Sequence, residues 1–104
     1  MKYLITENRL VDFVDKYLND VVGELDKVEL DDINAREDDF EIVDENMDTV
    51  FRYMDYHLGV EEKLFYHMMN LFGLDKRETE KLIEKWFDKN YPDNPVITAF
   101  PIVE

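Results

Sequence analysis

The apolar pattern of this chain changes period along its length, and those changes restrict the fold more than any motif does. Leu10, Phe13, Val14, Tyr17, Leu18, Val21 and Val22 recur at intervals of three and four, which places them on one helical face. Thr6 or Asn8 is suited to cap that helix, Glu7 opposes the positive end of its dipole, and Gly23 follows as a stop. From residue 40 the period shortens to two. Phe40 and Ile42 alternate with Asp39, Glu41 and Val43, and Thr49 to Met54 is rich in β-branched and aromatic residues. Asp44 to Asp48 supplies turn material between them, and the sum predicts a β-hairpin.

The helical period then returns. Val60, Leu64, Met68, Leu71 and Phe72 share a stripe, with Glu61 and Glu62 in the first turn and Gly73 at the end. Asp75 and Glu78 have the spacing of a capping box, opening a third helix whose buried face is Leu82, Ile83, Trp86, Phe87 and Tyr91 and which Pro92 closes. The tail carries Val96, Ile97, Phe100, Ile102 and Val103 between and beyond prolines, which predicts an edge strand docked beside the hairpin. Met1 to Ile5 reads as a short strand or a pinned arm. The expected fold class is therefore α+β: a small antiparallel or mixed sheet, hairpin plus C-terminal edge strand, packed against about three helices. At 104 residues the chain, 1–104, is the size of a single domain.

Charge is distributed unevenly over this frame. Glu24 to Asp48 holds twelve acidic residues against Lys27 and Arg36, so ten of the 14 net negative charges fall in about a quarter of the sequence. Leu25, Val28, Leu30 and Ile33 are thinly spaced there, and the segment at about 24–38 reads as an irregular acidic connection. A loop of roughly fourteen residues is long for so small a domain, and a short helix or strand around Val28 to Ile33 is the alternative. A net charge of -14 repels phosphates and anionic lipid, which disfavours direct nucleic-acid or membrane-surface binding and favours basic protein partners. No apolar run approaches the roughly 20 residues of a membrane span, and the absence of cysteine suits a reducing compartment; cytoplasm is the expected location.

Catalytic hardware is sparse. With Gly23, Gly59 and Gly73 as the three glycines, no glycine-rich phosphate loop can be written. Serine and cysteine are absent, leaving Thr6, Thr49, Thr79 and Thr98 as small hydroxyl nucleophiles. His57 and His67 match no zinc-binding helical spacing; His57, expected at the end of the second hairpin strand, has Asp55, Glu61 and Glu62 close in sequence. Asp44, Asn46, Asp48 and Asp55 imitate the oxygen spacing of a calcium-binding loop, but Thr49 stands where that loop needs glycine and Arg52 would aim a cation at a cation. A polar hairpin turn accounts for these four residues more simply. No cofactor is expected.

Met1-Lys2-Tyr3-Leu4-Ile5-Thr6-Glu7, leading directly into an amphipathic helix, resembles the starts of small, uncharacterised proteins encoded by tailed bacteriophages, and Glu84-Lys85-Trp86-Phe87-Asp88-Lys89 has a similar flavour. The resemblance implies a phage or phage-like origin, with host cytoplasm or the virion as location.

The expected function is that of a small acidic, non-enzymatic interaction module binding a basic protein partner, with mimicry of nucleic acid as its sharp form. Asp31, Asp32, Glu37, Asp38 and Asp39 are its electrostatic candidates, and Phe65 and Met69 its apolar ones. One alternative is a structural or minor virion subunit, a homo-oligomer included, assembling through the apolar helix and the edge strand. The other is a divalent-metal-binding or metal-dependent protein.

Overall fold

The computed structural model describes residues 7–23, 25–30 and 38–102. Its elements run α1 (Glu7–Val22), β1 (Asp26–Glu29), β2 (Phe40–Val43), β3 (Thr49–Met54), β4 (His57–Glu61), α2 (Glu62–Phe72), α3 (Lys76–Asn90) and β5 (Thr98–Ile102). The five strands form one sheet in the order β1-β2-β3-β4-β5. The first four pair antiparallel, and β5 adds to β4 in parallel. The fold is α+β, as the alternation of periods predicts.

The register explains why one face of the sheet is buried. Phe40, Tyr53, Leu58 and Ala99 lie side by side across β2 to β5, and Ile42, Phe51, Val60 and Pro101 form the next row. All eight are buried, and α3 packs over them. Trp86 sits on Phe51 with ring centroids 5.5 Å apart, and Phe87 stacks on Tyr53 at 5.4 Å and on Tyr91 at 4.7 Å. Aromatic pairs in this range add to the area they bury. α1 joins through α3, where Asn19 Oδ1 accepts from Trp86 Nε1 at 2.9 Å and Lys89 Nζ pairs with Asp15 at 3.0 Å. Phe65 and Met68 of α2, fully buried, complete the same core.

Local chemistry sets several boundaries as expected. Asp75 Oδ1 accepts from Glu78 N at 2.8 Å while Glu78 Oε1 accepts from Asp75 N, a complete capping box. Gly73 takes φ 65° and ends α2 in the left-handed conformation that glycine adopts without a Cβ penalty. Asp44 to Asp48 forms the β2–β3 turn.

Four expectations change. The segment at about 24–38 contains β1, an edge strand paired to β2. Asn8 lies inside α1, so it does not cap it; Thr6 and Met1 to Ile5 lie outside the described residues. A further strand, β4, precedes α2: Val60 and Glu61 belong to it, and His57 opens it rather than ending β3. Its turn hides from the sequence because Asp55 (φ 52°) and Tyr56 (φ 65°) fill a two-residue turn that usually carries Asn-Gly or Asp-Gly. Tertiary contacts hold it: Asp39 Oδ1 accepts from Asp55 N, and Tyr56 O accepts from Ile97 N at 2.8 Å. Finally, Phe13 and Leu71, expected on the buried stripes of α1 and α2, are 51% and 54% exposed.

Candidate functional site: a groove on the open face of the sheet

With the helices on one face, the other face of the sheet stays open. Its central row is Glu41, Arg52, Gly59 and Phe100. Gly59 is required there, since a Cβ would lie 2.8 Å from Ile102 Cγ1, and Ile102 and Phe100 of β5 lean over the space it leaves. At the end nearest the β2–β3 turn this face deepens into a groove of about 800 Å³. Asp44, Met47 and Asp48 of the turn form one wall and Glu62, Lys63 and Tyr66 of α2 the other, with Thr49, Arg52, Glu61 and Ile102 between them.

Each wall is fixed by local chemistry. Asp44 Oδ1 accepts from the backbone N–H groups of Asn46 at 2.9 Å and Asp48 at 3.0 Å, folding the turn so that Met47 takes φ 66° with its side chain 66% exposed. α2 starts directly from the last residue of β4, which brings Glu62, Lys63 and Tyr66 beside the sheet. Arg52 is tied down by Glu41, whose Oε1 lies 3.3 Å from Nε, and Glu41 Oε2 accepts from the Thr49 hydroxyl. With Arg52 neutralised in this way, Asp44, Asp48, Glu61 and Glu62 are opposed, among the described residues of the groove, by Lys63 alone.

The candidate metal ligands separate. Asp44, Asn46 and Asp48 share the β2–β3 turn, whereas Asp55 lies in the β3–β4 turn, at the other end of a six-residue strand and therefore about 20 Å away. Among the described residues no three His, Cys, Asp or Glu side chains are grouped to hold a metal ion. His57, half-buried, opens β4; His67 is exposed on α2, its ring 6.1 Å from that of Tyr17.

Of the interface candidates, Asp31, Asp32 and Glu37 lie outside the described residues. Asp38 is half-buried, with its carbonyl accepting from Asn94 Nδ2 at 3.3 Å. Asp39 is corrected: at 3% exposure it braces the β3–β4 turn and presents no charge to a partner. Phe65 is corrected for the same reason, being wholly buried between α2 and the rest of the core. Met69 is half-buried against it. The exposed large hydrophobic residues of α2 are instead Tyr66 and Leu71. Sequence reading missed Met47, Tyr66 and Ile102 as neighbours because their meeting depends on β4, whose strand pattern is too short to separate from the helix that follows.

The outer edge of β5 is closed. Ala99 N donates to Glu84 Oε1 of α3 at 2.9 Å, and Pro101, two residues on and facing the same way, has no N–H to offer. Among the described residues no helix is long and apolar enough to cross a membrane. Set against family models, curated proteins and solved structures, the chain matches none.

Proposed function

We propose that this protein is a small, non-enzymatic interaction module that binds a basic protein partner through its acidic surface. The segregation of charge carries the reading: ten of 14 net negative charges fall between Glu24 and Asp48. The described part of that stretch supports it, because Asp26 and Glu29 on the β1 edge and Glu45 and Asp48 on the β2–β3 turn are exposed. Charge so placed raises the rate of encounter with a cationic surface and gives an affinity that salt weakens. In its sharp form the carboxylates stand in for phosphates and occupy a basic nucleic-acid-binding groove.

The alternative of a self-assembling or minor virion subunit draws support from exposed Phe13, Leu71 and Phe100. The closed β5 edge argues against the strand-addition form of it.

Affinity capture from lysate, washed at low and high salt, tests the proposal. A basic protein retained at low salt, released at high salt and displaced by DNA is the expected result. Capture indifferent to salt refutes electrostatic recognition. Recovery of nothing but the protein itself favours self-assembly.

A further inference from the structure

Three features of the fold narrow where a partner can dock. The helices cover one face of the sheet, Glu84 and Pro101 close the β5 edge, and the open face carries the groove between the β2–β3 turn and α2. Resting on the basic-partner reading, we propose that this groove receives an arginine or lysine side chain, together with an adjoining apolar residue, from an exposed segment of the partner protein.

Two independent properties of the groove specify that occupant. The first is apolar. Met47 at 66% and Tyr66 at 43% are exposed large hydrophobic residues that both line it, together with half-buried Ile102. A methionine adapts to the shape of a guest, and a tyrosine ring offers both area and a face for a cation. The second is electrostatic. Arg52 is paired with Glu41, so among the described residues of the groove four carboxylates face Lys63 alone, and a partner cation meets net negative charge. A volume of about 800 Å³ holds a few side chains rather than a whole element of structure. Loss of the cationic head or of the apolar neighbour removes one half of the recognition.

The test is an NMR titration of isotopically labelled protein with the peptide acetyl-Leu-Arg-Leu-Arg-amide at up to millimolar concentration, alongside acetyl-Leu-Glu-Leu-Glu-amide. Saturable amide shifts centred on Met47, Asp48, Tyr66 and Ile102, seen with the arginine peptide and absent with the glutamate one, are expected. The double variant Asp48→Asn/Glu62→Gln, both exposed positions, weakens binding about tenfold, and Met47→Ala/Tyr66→Ala does so at high salt as well. Shifts centred on Asp26 to Leu30 with the groove silent overturn the groove while leaving the basic-partner reading intact. The groove is likewise overturned if the Asp48/Glu62 variant binds within twofold of the parent, or if no saturable shift appears although capture yields a basic protein. A wild-type capture that yields no basic protein overturns the underlying reading instead.

Discussion

Replacing Glu84 with alanine removes the acceptor that occupies the Ala99 N–H on the β5 edge. A carboxylate accepting from a backbone amide at 2.9 Å is a charge-assisted bond, worth about 1.5–3 kcal/mol while its partner stays desolvated. Ala99 is only 1% exposed, so water replaces Glu84 incompletely. Glu84 is itself only half-buried, which lowers the gain, and alanine returns a few tenths of a kcal/mol through helix propensity. The expected net loss is about 1.5 kcal/mol. For 104 residues the unfolding entropy is about 0.22 kcal/mol/K, which converts the loss to a fall in Tm of about 7 °C. Urea titration should show a lower midpoint at constant slope, and hydrogen exchange should show the Ala99 amide losing protection. Glu84→Gln, which keeps an acceptor oxygen, should lose about half as much. Glu84→Ala combined with Pro101→Ala exposes two edge N–H groups in a row, and sedimentation velocity should then report self-association that neither single variant shows. A Glu84→Ala protein within 0.3 kcal/mol of wild type and with Ala99 exchange unchanged would refute the account of the closed edge.

Other consequences are equally direct. Phe65→Ala should cost about 3–5 kcal/mol by calorimetry or denaturant titration, whereas Tyr66→Ala, one residue on and exposed, should cost under about 1 kcal/mol; equal losses would contradict the assignment of Phe65 to the core. Gly59→Ala should destabilise by about 1–3 kcal/mol because its Cβ meets Ile102, and since the obstruction is a side chain rather than backbone, pairing it with Ile102→Ala should recover part of that loss. Burial raises the phenol pKa values of Tyr17 and Tyr91 above the ordinary 10.0. Folding thus favours their protonated forms, and the associated stability is complete below pH 10 and is lost as pH rises through the folded values. In an absorbance titration, Tyr17→Phe and Tyr91→Phe should each remove one late-ionising phenol from the wild-type curve.

The parts of the fold legible in the sequence are those decided by neighbours in the chain. The α1 stripe, the β2–β3 hairpin, the Asp75/Glu78 capping box and the Gly73 stop each follow from spacing or from a side chain reaching its own backbone a few residues away. Such signals survive without knowledge of the rest of the molecule. The concentration of acids between Glu24 and Asp48 is likewise a property of the sequence, and the basic-partner reading rests on it.

The remaining features depend on residues far apart in the chain. The β3–β4 turn uses Asp55 and Tyr56 where a local signal would want Asn-Gly or Asp-Gly, and it is held by Asp39 and by the Ile97 N–H, 16 and 41 positions distant. β4 exists because that turn closes, and β5 pairs with β4 in parallel because the two intervening helices carry the chain back across the sheet. Burial of Asp39 and Phe65, exposure of Phe13 and Leu71, and the meeting of Met47, Tyr66 and Ile102 follow from that assembly. Hydrophobicity determines that a side chain gains by leaving water; which side chains do so is set by the surfaces that distant elements bring against them.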